Sequence, residues 1–238
     1  MRKIKGSSNY LKNQVRKNLA KAGLSAVLFA AIAAVIIYRI LLTFHIGLLE
    51  EIAAVFLLVP LGAFYFFLRR YHIYNGGYTG EKQVANLLTH TLNDDYYLLN
   101  DLYLRGGGGD FDHIVLGPNG VFVLETKNWN GTISCNGDEW QRSGKRNFSS
   151  SPSRQVKRNA ARIQQIINNN PSLRALGTFV EGIVVLTNNH ANLHVNNPAL
   201  TILKLLQLPN YLTTHRNPHS LTHEQLEAIS KEIVKQKH

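Results

Sequence analysis

Residues 111–129 read FDHIVLGPNGVFVLETKNW. Val121, Phe122, Val123 and Leu124 make an unbroken apolar run of the kind a buried strand carries. The run leads without a turn into Glu125 and Lys127. A charge enters a core when it is paired, neutralised or bound to a metal. Pro118, Asn119 and Gly120 are turn residues, so the stretch predicts a hairpin of strands over 112–116 and 121–127. Residues two apart on a strand share a face, so Glu125 and Lys127 point the same way. With a two-residue loop at Pro118-Asn119, Gly117 faces Gly120, and counting back and forward equally sets Asp112 opposite Glu125. Facing residues lie ~5 Å apart at Cβ. Two carboxylates that close repel unless one holds a proton or a cation lies between them. A divalent, oxygen-preferring ion, Mg²⁺ or Mn²⁺, is the expected partner. A bulge at Gly120 would slip the register by one and break the facing.

Lys127 then stands beside the metal, placed to orient an attacking water or to steady charge growing on a phosphate. Glu81 lies on the stripe of Val84 and Leu88 of a helix expected over 80–91, so it points toward the sheet. Taken alone, Glu81 reads better as a helix-start acid favoured by the dipole, and Glu125 with Lys127 as a surface ion pair at a strand end. The set as a whole favours a site.

The chain of 238 residues carries a net charge of +11, unevenly placed. Residues 1–21 hold seven Lys or Arg and no acid. Residues 22–37, AGLSAVLFAAIAAVII, are uncharged, and with Arg39 snorkelling the apolar run reaches Phe44, ~20 residues and enough for one span. Residues 52–68, IAAVFLLVPLGAFYFFL, form a second run just long enough to cross. Glu50 and Glu51 lie between the runs, and Arg69 and Arg70 follow the second. The positive-inside rule predicts a multi-pass protein of the inner (plasma) membrane, with the Glu50-Glu51 loop outside and both termini cytoplasmic. A cleaved signal peptide fits less well, because no polar cleavage region follows the first run. Buried core helices would be expected to carry more polar residues. The expected divisions are a basic tail over 1–21, a transmembrane hairpin over 22–70 in contact with the lipid bilayer, a linker over 71–77, a soluble domain over 78–190, and an extension over 191–238 ending in a helix. The single cysteine, Cys135, excludes an intrachain disulfide and any multi-cysteine zinc site.

In the soluble part, Thr79 is expected to cap the 80–91 helix. Strands are expected near 96–99 and 102–104, and a second hairpin at 132–135 and 140–142 turning at Asn136-Gly137. A helix over 154–168 has the stripe Val156, Ala160, Ile163 and Ile167. A strand apolar on both faces covers 182–186, and Thr222 with Gln225 opens a last helix. This order predicts an α/β layer arrangement with a mixed sheet flanked by helices. His113 points away from the site residues of its strand, and Trp129 and Trp140 read as packing residues.

GYTGEKQVANLL, FDHIVLGPNGVFVLETKNWNGTI and PSRQVKRNAARI together resemble the nuclease-related domain, NERD, which is grouped with the PD-(D/E)xK restriction-endonuclease-like superfamily. The likeness covers about 78–187. It implies a restriction-endonuclease-like fold in which Asp112 and Glu125 bind metal, Lys127 is the catalytic lysine, Glu81 the helix carboxylate and Gln155 a polar residue of the later helix. The family pattern has Asn-Pro before that helix, where this chain has Ser151-Pro152.

Arg154, Arg158 and Arg162 recur every fourth residue opposite the apolar stripe. With Arg142, Lys145 and Arg146 on the preceding loop they would track a phosphate backbone. A solvated face, or one against anionic lipid, explains them equally. The leading expectation is a membrane-anchored, metal-dependent nuclease facing the cytoplasm and hydrolysing phosphodiester bonds, with DNA favoured over RNA on family resemblance. The alternative is a catalytically silent, membrane-tethered module that binds or senses nucleic acid. No small-molecule cofactor is expected.

Overall fold

The computed structural model describes residues 1–5, 9–43, 47–105, 110–143, 151–215 and 220–237. By its contacts the chain falls into two compact units, Asn9–Tyr78 and Met1–Ser8 with Thr79–His238.

The first unit is helical. α1 covers Tyr10–Thr43 and α2 covers Leu48–Phe56. α3 runs over Leu58–Thr91 and so enters both units. The break at Leu57 follows from Pro60, which has no N–H to offer the carbonyl of Phe56. Two helical segments, Tyr10–Thr43 and Leu48–Thr91, are long and apolar enough to cross a membrane. Leu24, Val27, Val35, Leu58 and Val59 are exposed on them, so these helices are not the core of the chain. α1 and α3 meet through an edge-on contact of Tyr10 with Tyr74 and through Lys21 over the ring of Phe67. The linker expected over 71–77 is helical instead, and Thr79 caps nothing. A helical Gly costs about 1 kcal/mol relative to Ala; at Gly77 an added Cβ would meet Leu11 Cδ1 at 3.4 Å, an ordinary contact.

The second unit is α/β, as expected. A mixed six-stranded sheet has the order β1-β2-β3-β4-β7-β9. Its strands are β1 (Arg2–Lys5), β2 (Tyr97–Tyr103), β3 (Asp110–Gly117), β4 (Gly120–Lys127), β7 (Val180–Leu186) and β9 (Thr201–Lys204). A smaller sheet, β6-β5-β8, is made of β5 (Gly131–Gly137), β6 (Glu139–Arg142) and β8 (Ala191–Pro198). α4 (Pro152–Asn169) and α7 (His223–Lys235) cover one face of the large sheet, where Val121, Val123, Val156, Ile163, Leu226 and Ile229 share a core. Val84 and Leu88 of α3, with Leu208 and Leu212 of α6 (Leu208–Thr214), cover the other face over Leu98, Val115, Phe122 and Val185. A short helix, α5 (Pro171–Arg174), follows α4.

Two features depart from the expected divisions. The basic segment 1–21 begins with β1, parallel to β2. Residues 191–238 are woven into the core, with β8 and β9 in the two sheets and Leu221, Leu226 and Ile229 in the main apolar cluster. The Thr222 capping box is present, with Gln225 N–H donating to Thr222 Oγ1 at 3.3 Å and Thr222 N–H to Gln225 Oε1 at 2.9 Å.

Candidate metal and phosphodiester site

The hairpin has the expected register. Gly117 pairs with Gly120, and the ladder continues through His113 and Leu124. Extended by one step, the same register puts Asp112 opposite Glu125. There the ladder is replaced by a side chain: Asp112 Oδ2 accepts the Thr126 N–H at 2.7 Å. The turn is pinned by the C-terminal part of the chain. Asn119 Nδ2 donates to the carbonyls of Leu212 and Thr213 at 3.0 and 2.6 Å, and Leu221 N–H to that of Pro118 at 3.0 Å. These bonds also satisfy carbonyls that the end of α6 would leave open.

Glu125 is 2% exposed, and its Oε1 accepts from Lys127 Nζ at 2.5 Å. Burial and the neighbouring Glu125 push the Asp112 carboxyl well above its usual range, against the pull of Lys127 and the Thr126 N–H. Burial also raises Glu125, while Lys127 and Arg158 draw it down. Burial alone would lower the Lys127 ammonium, but Glu125 and Asp112 outweigh it and hold it above its ordinary value. Lys127 is therefore a cation at neutral pH and a donor of hydrogen bonds.

Glu81 joins this group from α3. Burial, then Asp112, Asp101 and Glu125, push its carboxyl up to about 9. Gly80 brings it there: an added Cβ would stand 2.9 Å from Thr187 Oγ1 and 3.0 Å from Asn128 Cβ. Only a residue without a side chain lets the helix lie so close to the strand ends.

Asp101 is the acid that the sequence reading missed. It is on β2, and its charge is among those that push the Glu81 carboxyl up. The route from β2 to β3 passes through a run of glycines, which fixes no register, so no spacing rule could place Asp101 near Asp112.

The remaining expected residues divide. Arg158 of α4 is near enough to lower Glu125. Gln155, half-buried, lies one helical turn before it. Arg154 is taken up by Glu139 at 2.6 Å, and Arg142 Nε donates to the Asn130 carbonyl at 2.7 Å. Arg162 donates to the Arg105 carbonyl and lies over the Phe111 ring. The basic stripe on α4 is thus partly spent on internal contacts. Lys145 and Arg146 lie outside the described residues. His113 is buried and structural, as expected, with Nδ1 at 2.7 Å from Asn100 Oδ1. Trp140 packs edge-on against Trp129 and donates to Ser153 Oγ at 2.7 Å.

Among the described residues, no three of His, Cys, Asp and Glu form a ready metal cage. Asp112 and Glu125 supply a pair of hard oxygen donors, each with one oxygen engaged by a neighbour. Mg²⁺ suits such a pair, since it keeps several waters and takes one or two carboxylates.

Residues 76–187 match the family model described as the nuclease-related domain, NERD. An uncharacterized protein of Bacillus anthracis is 42% identical over 60 residues, which make up 24% of this chain and 28% of that protein. The matched stretch is therefore well under two thirds of that relative's length. No solved structure matches the chain.

Proposed function

We propose that the nuclease-related domain of this chain is a membrane-anchored, metal-dependent nuclease of the PD-(D/E)xK type that hydrolyses phosphodiester bonds, with DNA the favoured substrate. The observation that carries the reading is the convergence of Asp112, Glu125 and Lys127 in the register that the hairpin turn dictates.

Asp112 and Glu125 would hold Mg²⁺ or Mn²⁺, which when bound supplies a polarised phosphate and an acidified water. Asp112 is fixed by the Thr126 N–H, and Glu125 by Lys127. Lys127, kept charged by its two acids, would hydrogen-bond the attacked phosphate and stabilise the charge that builds there. Its raised pKa argues against service as a general base. Glu81 would hold a proton or a bound water beside the attacked group. Arg158 would meet the phosphate backbone.

Membrane anchoring rests on the two exposed apolar helices, which water does not tolerate over so large an area. Residues before α1 and after Tyr78 belong to one folded unit. Helices that leave that unit and return must cross a bilayer an even number of times, which agrees with both ends in the cytoplasm.

The full chain in detergent, β1 included, is expected to nick supercoiled plasmid with Mg²⁺ or Mn²⁺ and not with EDTA. Asp112→Ala and Lys127→Ala should each lower the rate by about a hundredfold or more. Among the described residues no three such ligands converge, which favours a second reading, a silent binding module. Plasmid binding without cleavage, or cleavage unchanged in both variants, would select it.

A further inference from the structure

The second apolar run lies on α3 and ends at Leu68. The cations at that level are not equivalent. Lys21 of α1 lies over the Phe67 ring at 5.2 Å. Arg70 lies over the rings of Phe66 and Tyr74 at 5.5 and 5.7 Å and donates to Tyr74 Oη at 3.1 Å. Arg69 is exposed and, among the described residues, has neither an ion pair nor a ring beneath it. It lines a groove of about 390 Å³ with Tyr65, Leu68, His72 and Ile73. Their spacing puts these residues on one face of the helix. The same face runs back toward the start of α3 through Leu61 and Leu58, both exposed. At the helical rise, Leu58 and Arg69 stand ~16 Å apart along the axis. That is about half of a ~30 Å hydrocarbon core, the depth of one leaflet. An apolar track the length of an acyl chain thus ends at a guanidinium and an imidazole at headgroup level.

We propose that this face of α3 is a binding site for an anionic glycerophospholipid of the bilayer. The lipid phosphate meets Arg69 and His72, and one acyl chain lies along Tyr65, Leu61 and Leu58. The inference rests on the membrane-anchoring reading above and is independent of the hydrolytic one. A guanidinium takes two phosphate oxygens in a fork, and an imidazole offers an N–H whether neutral or charged. The tyrosine ring suits the interface, where one end of a side chain is apolar and the other wet. A zwitterionic headgroup brings a cation of its own against Arg69, so the charge of the groove selects an anionic one. Snorkelling explains an arginine at a helix end, but it does not call for a groove shared with His72.

The full chain in phosphatidylcholine vesicles tests the site, with a trace of spin-labelled phosphatidylglycerol or phosphatidylcholine. Electron spin resonance reads the share of each tracer that is slowed at the protein surface. The parent is expected to prefer phosphatidylglycerol. Arg69→Gln should lower that preference by about fivefold, the worth of one well-placed basic residue. Gln and Arg have nearly equal helix propensity, so α3 is kept. Arg70→Gln removes the same charge one residue on, from a side chain already engaged by its own helix, and should keep most of the preference. Equal losses in the two variants would reduce the effect to surface charge and overturn the site, as would a parent with no preference. A chain that does not float with the vesicles on a density gradient would reject the anchoring reading, and the site with it.

Discussion

Glu81 shows how much of the site's behaviour is set by where a single carboxyl group stands. Near the start of an isolated helix it would be an ordinary acid. Here burial and three neighbouring acids move it from 4.5 to about 9. Between those values the folded chain holds a proton that the unfolded chain has released. Folding is then favoured at low pH, and this contribution fades as pH rises through the window. Asp112 and Glu125 are shifted in the same direction. Below about pH 6.5 buried His113, which burial lowers to about 3, works the other way; from about pH 7 to pH 9 the metal-free protein is therefore expected to melt at progressively lower temperature, and Glu81→Gln should flatten that dependence. A Glu81→Gln protein with the parent's full slope would contradict the assignment. Mg²⁺ should flatten it too, because a cation does the work of the proton. The sequence made Asp112, Glu125 and Lys127 legible because all three lie on one local hairpin. Asp101 was illegible because its place depends on a strand reached through glycines.

Elements divide along the same line. The hairpin of β3 and β4, the stripe of α4 and the capping box of α7 follow from residues a few positions apart, and all appear as read. β1 and β8 pair in parallel with strands far away in sequence, so nothing local announces them. The helix through Gly76 and Gly77 contradicts local propensity, which tertiary contacts override. Two expectations belong at this scale. Gly80→Ala forces its new methyl against Thr187 and Asn128. It should destabilise the fold by about 1–3 kcal/mol and slow plasmid cleavage as Glu81 is moved away, both measurable by denaturant melts and nicking assays. Removal of residues 1–8 strips β1 from β2 and bares a sheet edge. The shortened chain should aggregate where the full chain does not, as scattering during mild heating would record.

For the whole molecule, the account joins an apolar helical pair to an α/β unit that contains residues from both sides of that pair. Charge placement predicts that Glu51 faces outward. A Glu51→Cys chain in intact cells should react with a membrane-impermeant thiol reagent, while native Cys135, 2% exposed, stays silent. Labelling only after the cells are opened would reverse the orientation. The central claim is narrower than the topology: two carboxylates on neighbouring strands form, with Lys127, a seat for one divalent ion. Calorimetric titration of Mn²⁺ into the full chain, parent against Glu125→Gln, tests it before any substrate is chosen. The account predicts saturable binding in the parent, weakened by about tenfold or more in Glu125→Gln; equal binding in both, or none in the parent, would contradict it.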